Sequence, residues 1–197
     1  MGSILYCYGS RYYINMTNRC PCRCIFCVRD STDALGDADS LWLDEEPTVE
    51  EIKQALLDTD LSDTDEIVFC GYGEPTERFD DLLVIANFIK NELHKKVRLD
   101  TNGLGRLING RDIVPEMAGL IDSISISLNA KDRVEYLNVT RPKFGIDSYD
   151  ELLIFIKDCR EVIPGVTVSI VGGYIPQASE DECAKIAQNL NVRFRVR

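Results

Sequence analysis

The chain alternates short runs of β-branched residues with amphipathic helical runs, and several of the predicted strands are apolar on one face only. In the run 123–129, serines and an asparagine at every second position alternate with isoleucine and leucine. The runs 97–102, 166–170 and 192–196 show the same alternation. Strands enclosed between two layers of helices are expected to be apolar on both faces. The pattern therefore argues against a flat sheet covered by helices on both sides.

Two arrangements fit strands with one polar face: an antiparallel sheet with one wet side, or a curved parallel sheet with helices outside and a polar interior. The intervening helices favour the second. A closed eight-stranded β/α barrel takes about 250 residues, and this chain has 197. About six β/α units fit this length. We therefore expect an α/β fold, an open and partial (β/α)6 TIM-like barrel whose concave polar face binds a ligand.

The predicted elements begin with a β-hairpin that extends the barrel at its N-terminus. Its strands are Ile4–Tyr8 and Tyr12–Thr17. The later strands are expected at Glu66–Cys70, Val97–Asp100, Ser123–Leu128, Val166–Val171 and Val192–Val196. Three helix starts fit a capping box, in which a hydroxyl and a carboxylate satisfy free backbone N–H groups. They are Thr48 with Glu51, Ser148 with Glu151, and Ser179 with Glu182.

Composition and the lack of long apolar stretches bear on which partners the protein binds and in which cellular compartment it works. Lys and Arg number 22 against 33 Asp and Glu, which gives a net charge of −11. That is the wrong sign for a protein that neutralises nucleic-acid phosphates. No stretch approaches the ~18–20 apolar residues of a membrane span, and the start lacks the basic and apolar regions of a signal peptide. We expect a single cytoplasmic domain over residues 1–197, with no membrane or nucleic-acid partner.

The strongest chemical feature is a group of four thiols within eight residues: Cys20, Cys22, Cys24 and Cys27. In a reducing compartment this density favours a soft metal over disulfides. A zinc knuckle would use all four, although such sites usually draw two close pairs from separated segments. A redox dithiol at Cys24 and Cys27 would leave two cysteines unexplained. An iron–sulfur cluster on the first, third and fourth would leave one iron open to a ligand.

The motif Cys20-x3-Cys24-x-Phe26-Cys27 resembles the signature of the radical SAM superfamily, which has an aromatic residue before the third cysteine. Further segments that resemble family motifs follow in order, each at the end of a predicted strand. They are Cys70–Thr76, Thr101–Gly103, Ser127–Asn129 and Val171–Pro176. Tyr72 departs from the family, in which many members have glycine. Within the superfamily the chain looks most like the small TatD-associated radical SAM proteins.

The resemblance implies a [4Fe–4S] cluster held by Cys20, Cys24 and Cys27, with S-adenosylmethionine chelating the open iron. Phe26 would lie against the adenine, and the Gly-Glu-Pro segment would receive the methionine amino group. The residues implied to bind S-adenosylmethionine are Phe26, Gly73, Glu74, Pro75, Asn102, Ser127 and Asn129. Reductive cleavage would yield a 5′-deoxyadenosyl radical that abstracts hydrogen from a substrate.

The partners implied by the resemblance are a flavodoxin or ferredoxin as electron donor, and a peptide, protein or small metabolite as substrate. No catalytic residue is assigned. The alternative from another class is a non-catalytic zinc-binding interaction module that uses Cys20, Cys22, Cys24 and Cys27.

The sequence leaves two roles open for each of five residues. Cys22 is either a bystander in the loop or a substrate-facing thiol, and Cys70 either packs or borders the site. Arg98, Arg193 and Arg195 either are solvated or point into the barrel and hold an anionic group.

Overall fold

The computed structural model describes residues 2–197, and its centre is one seven-stranded sheet with the strands in chain order. Strands β1 and β2 form the antiparallel hairpin expected at the N-terminus. Every later neighbour is parallel, from β2 to β7. The strands are β1 (Leu5–Tyr8), β2 (Arg11–Ile14), β3 (Glu66–Phe69), β4 (Lys96–Thr101), β5 (Ser123–Ser127), β6 (Gly165–Ile170) and β7 (Arg193–Val196). The sheet is not closed, so the expected open, partial TIM-like barrel is confirmed.

Six α-helices connect the strands. They are α1 (Val49–Leu57), α2 (Phe79–Asn91), α3 (Gly105–Asn109), α4 (Arg133–Thr140), α5 (Ser148–Val162) and α6 (Gln177–Asn189). Helices α2, α5 and α6 pack on β4, β6 and β7. The strand residues facing them are apolar and fully buried, as Phe69, Leu99 and Ile126 show. No helix among residues 2–197 is long and apolar enough to cross a bilayer.

The other face of the sheet, which we call the inner face, is polar. Because paired residues of neighbouring strands point to the same side, the register defines its rows. One row runs from Asp100 through Ser125 and Thr167 to Arg193. The next runs from Ser127 through Ser169 to Arg195. The alternation of polar residues in the sequence thus corresponds to one continuous surface inside the open barrel.

One of the three predicted capping boxes is present. At the start of α1, the Thr48 hydroxyl accepts from the backbone N–H of Glu51 at 3.2 Å, and the Glu51 carboxylate accepts from the N–H of Thr48 at 2.8 Å. Both residues are exposed, so no tertiary contact competes with the local motif.

The other two predicted capping boxes are wrong, because neither serine lies at the N-cap: Asp147 and Pro176 hold those positions. Ser148 is fully buried inside the first turn of α5, and its hydroxyl has no hydrogen-bond partner. Helix α6 begins before Ser179, whose hydroxyl donates to the Glu135 carboxylate at 2.7 Å. Cys159 and Cys183 are fully buried on these helices, as their apolar spacing predicts.

Candidate active site

The segments singled out in the sequence lie at the carboxyl ends of the parallel strands. The cysteine loop, residues 18–27, follows β2, and the loop 71–74 follows β3. Asn102 follows β4, and Asn129 comes two residues after β5. Carboxyl ends of parallel strands meet at one edge, which is where β/α barrels build their sites. We call this edge the strand-end edge.

The cysteine loop is anchored to the end of α4 by its own backbone. The N–H of Arg23 donates to the carbonyl of Thr140 at 3.0 Å, and the N–H of Ile25 donates to the carbonyl of Val139 at 2.9 Å. The N–H of Lys143 donates to the carbonyl of Pro21 at 2.8 Å. These bonds fix the loop between β2 and α4, so its thiols have a defined position.

The thiols of this loop fall into two kinds. Cys20, Cys24 and Cys27 are free and partly exposed, whereas Cys22 is only 3% exposed and packs in the hydrophobic core. A hydrogen bond from the Cys22 thiol lowers the pKa of Cys20. Cys22 therefore faces the protein interior beside Cys20.

The three partly exposed thiols are soft metal donors. Cysteine thiolates are the ligands that hold iron–sulfur clusters, and each thiolate binds a different iron. The donor set of Cys20, Cys24 and Cys27 therefore fits the implied group.

Glu74 joins the ends of β3 and β4. The carboxylate is 4% exposed and accepts from the hydroxyls of Thr76 at 2.7 Å and Thr101 at 2.6 Å. It also accepts from the backbone N–H of Asn102 at 2.7 Å. Burial raises the pKa of Glu74, and these hydrogen bonds oppose the rise. Most of the acceptor capacity of the carboxylate is thus used within the chain.

Gly73 lets the β3 loop lie against the segment that leads into the cysteine loop. A Cβ at this position would be 2.2 Å from the carbonyl oxygen of Thr17 and 2.6 Å from that of Arg19. The next amide, the N–H of Glu74, donates to the carbonyl of Arg19 at 2.8 Å. Pro75 then begins a buried 3₁₀ turn, Pro75–Arg78. Only glycine permits so close a backbone approach.

Asn129 carries a buried side-chain oxygen that no group of the described chain hydrogen-bonds. Its φ is +58°, in the left-handed region that asparagine tolerates better than most residues. The side chain is 5% exposed, and its Oδ1 has no hydrogen-bond partner among the described residues. A buried acceptor left unpaired costs about 1–3 kcal/mol. A donor such as a ribose hydroxyl at this position would satisfy it.

Two further predicted residues contact the cysteine loop or belong to it. The Asn102 side chain donates to the Cys20 sulfur at 3.9 Å, while its Oδ1 accepts from the N–H of Leu104 at 2.8 Å. The Phe26 ring meets Tyr174, of the loop after β6, edge to face at 5.5 Å. The structure therefore brings the β4 and β6 ends to the cysteine loop.

The structure shows where the three arginines lie for which the sequence left either solvent or the barrel interior open. Arg98 lies on the inner face and pairs with Asp100 at 2.7 Å. Arg193 and Arg195 are in register with Thr167 and Ser169, so they share that face, and both are exposed on the edge strand β7. Arg197, not assigned to the site from the sequence, donates to the Ser127 hydroxyl at 2.9 Å.

Cys70, directly after β3, is partly buried beside this face. Burial raises the pKa of its thiol to about 12. Its carbonyl accepts from the hydroxyl of Tyr6 at 3.3 Å. The thiol is therefore neutral at ordinary pH.

Among the cavities of residues 2–197, two lie at opposite ends of the strands. One of about 820 Å³ opens at their amino ends, where Arg11 pairs with Glu66 at 3.1 Å. It is remote from the motifs, and several of its charged groups form ion pairs, among them Asp122 with Lys90 at 2.7 Å and Arg98 with Asp100 at 2.7 Å. The other, about 750 Å³, lies beside Cys24 and is lined by Arg23, Cys24, Ile25, Arg29, Asp30, Trp42 and Arg141.

An open β/α barrel with a thiol loop after its first parallel strand and a polar strand-end edge has the layout in which β/α barrels build their sites. The family model of the radical SAM superfamily matches residues 14–188. The chain belongs to this superfamily.

Similar proteins agree in family and fold. The chain is 30% identical over 172 residues to a probable GTP 3′,8-cyclase of Methanocella arvoryzae, covering 86% of this chain and 49% of that protein. It thus spans about half the length of this curated relative. Streptococcus suis SuiB bound to its precursor peptide SuiA matches with a TM-score of 0.71 at 17% identity, over 96% of this chain and 39% of that one. A radical SAM methyltransferase from Sphaerobacter thermophilus matches with a TM-score of 0.64 at 17% identity, over 98% and 57%.

Proposed function

We propose that Cys20, Cys24 and Cys27 hold a [4Fe–4S] cluster and that the chain uses it with S-adenosylmethionine to abstract hydrogen from a substrate. When bound, this pair supplies a one-electron cleavage of the sulfonium and a radical able to remove a hydrogen atom. The observation that supports the proposal is the meeting of three partly exposed thiols and the unpaired Oδ1 of Asn129 at one edge. The superfamily as a whole is defined by these two cofactors.

The residues of the strand-end edge divide the binding of S-adenosylmethionine among them. Asn129 accepts a ribose hydroxyl through its free Oδ1, and Ser127 and Asn102 face the same surface. Phe26 packs against the adenine, supported by Tyr174. Gly73 brings backbone carbonyl groups close to the methionine amino group, and Pro75 fixes the turn that follows. Glu74 positions these groups, because its carboxylate ties their two strands together.

The electron donor in this proposal is an acidic flavodoxin or ferredoxin that docks beside Cys24. Three arginines border the cavity there: Arg23, Arg29 and Arg141. None of them forms an ion pair with a carboxylate of residues 2–197. Ile25 is 42% exposed in the same region. A positive surface with exposed apolar groups complements a small acidic protein.

The substrate is a small metabolite or a peptide or protein segment that enters the open barrel. The Methanocella relative is named for a reaction of GTP, and SuiB is bound to a peptide. The described chain folds as a partial barrel around one sheet, and we propose that residues 1–197 form one radical SAM core domain. A cytoplasmic location belongs to the proposal, because thiolate-bound iron needs a reducing compartment.

Release of 5′-deoxyadenosine tests this function. Protein reconstituted without oxygen and reduced with dithionite is expected to release it from S-adenosylmethionine. Cys24→Ala is expected to abolish the release. Cys7→Ala is the matched control, because Cys7 is a free thiol on β1, outside the loop. Equal release by Cys24→Ala and the wild type would contradict the proposal.

A further inference from the structure

We propose that Arg195, Arg197 and Ser169 form a subsite on the inner face for an anionic group of the substrate, a carboxylate or a phosphate. This inference rests on the proposed function, because it names the chemical class of the substrate that the same open barrel takes.

The register places the three residues together. Ser169 pairs with Ser127 on one side and with Arg195 on the other, so these side chains stand in one row on the inner face. Arg197 follows at the end of β7, and its guanidinium crosses β6 to donate to the Ser127 hydroxyl at 2.9 Å. Arg195 is therefore the neighbour of Ser169 on β7, and the Arg197 guanidinium lies at the serine on its other side.

The region around Ser169 is positively charged, whereas the whole chain is acidic. The protein carries a net charge of −11, yet no carboxylate among residues 2–197 pairs with Arg195 or Arg197. Of the other inner-face arginines, Arg98 is already neutralised by Asp100 at 2.7 Å. Burial raises the pKa of Asp100, and the charges of Arg98 and Arg197 oppose this rise. The positive field of Arg197 therefore reaches the centre of the inner face.

Ser169 supplies a second observation that points to a ligand. Its side chain is fully buried, and its hydroxyl has no hydrogen-bond partner in the described chain. Buried hydroxyls are normally paired, since leaving one unpaired costs free energy. An anionic oxygen between the two arginines would accept this hydrogen bond.

The chemistry of the three groups selects an anion. Guanidinium groups are planar donors that match the oxygen pairs of carboxylates and phosphates, and they offer no acceptor. The row includes Ser127, and the N–H of Asn129 donates to the carbonyl of Ser169 at 3.3 Å, at the edge where the radical would form. An anion held here anchors one end of the substrate and leaves another part at the strand-end edge for hydrogen abstraction.

Titration calorimetry with inorganic phosphate and with succinate, on the reconstituted holoprotein, tests the subsite. We expect at least one of the two anions to bind the wild type and to bind Arg195→Gln and Arg197→Gln about tenfold more weakly or worse. Arg160→Gln is the control, because Arg160 is exposed on α5 and pairs with its neighbour Glu161 at 2.8 Å. Its affinity should equal that of the wild type.

A second arm separates the substrate anion from the carboxylate of S-adenosylmethionine. Anion binding should persist when S-adenosylmethionine is saturating, and Arg195→Gln should bind S-adenosylmethionine as the wild type does. The proposal is overturned if neither phosphate nor succinate binds the wild type, or if Arg195→Gln and Arg197→Gln bind the anion as tightly as the wild type does. It is also overturned if S-adenosylmethionine displaces the anion. Cluster absorbance and 5′-deoxyadenosine release are measured on the same samples. If the wild type shows neither the cluster absorbance nor the release, the proposed function is refuted. If the wild type shows both signals but binds no anion, only the subsite is refuted.

Discussion

At the scale of single residues, Glu74 is a buried acid whose protonation is coupled to folding. Burial holds its pKa above the ordinary 4.5, although the hydroxyls of Thr76 and Thr101 favour the charged form. The native state therefore binds this proton more tightly than the unfolded chain does. The stabilisation from Glu74 is complete below pH 4.5 and is lost as the pH rises through the native pKa.

Replacement of Glu74 by glutamine removes this pH dependence. The free energy of unfolding of the wild type, relative to Glu74→Gln, should be higher at about pH 4.5 than at about pH 8. Guanidinium chloride unfolding of the metal-free proteins at the two pH values measures the difference. A difference that is constant or that grows with pH would show that the pKa of Glu74 is not raised.

Gly73 makes a second prediction at this scale. Its absent Cβ would lie 2.2 Å from the carbonyl oxygen of Thr17, so Gly73→Ala must displace backbone. We expect a loss of about 1–3 kcal/mol in the free energy of unfolding and a lower yield of cluster. Gly165→Ala is the control, because its Cβ would meet the movable end of Arg193 at 3.1 Å, and its nearest backbone atom, the carbonyl oxygen of Asp122, lies at an ordinary contact distance of 3.4 Å. Equal losses in the two variants would contradict this explanation.

At the scale of elements, the starts of α1 and α5 share a sequence pattern but not a structure. The Thr48 hydroxyl caps α1, whereas the Ser148 hydroxyl is buried and unpaired. Thr48→Ala should lower the free energy of unfolding by about 1 kcal/mol. Ser148→Ala should leave it unchanged or raise it, because it removes a buried hydroxyl without a partner. Chemical denaturation compares them, and a larger loss for Ser148→Ala would contradict the structure.

The elements also show what the sequence can predict. The strands and the inner face can be predicted from the alternation of polar and apolar residues, because this pattern lies within short stretches of the sequence. The order of the sheet and the strand-end placement of the cysteine loop follow from chain order in a parallel barrel. Contacts between distant residues leave no local signal. The bond from Arg197 to Ser127 spans 70 positions, and that from Thr101 to Glu74 spans 27.

At the scale of the whole molecule, an acidic chain presents a local positive surface beside the proposed cluster. Charge reversal at Arg141→Glu should slow reduction by an acidic flavodoxin about tenfold or more at low salt, with the effect shrinking as salt rises. Reduction by dithionite should be unchanged. Lys185→Glu is the control, because Lys185 is exposed on α6. Stopped-flow absorbance measures both rates, and equal slowing with dithionite would place the effect in the cluster itself.

The content of iron, acid-labile sulfide and zinc in protein purified without oxygen distinguishes an iron–sulfur cluster from a zinc site. We expect about four irons and about four sulfides per chain, with a brown absorbance at about 400 nm. All three signals should be absent in Cys24→Ala and present in Cys22→Ala, because Cys22 packs in the core. A colourless protein with one zinc per chain that is lost in Cys22→Ala would contradict the proposed cluster and would identify a zinc site on all four cysteines.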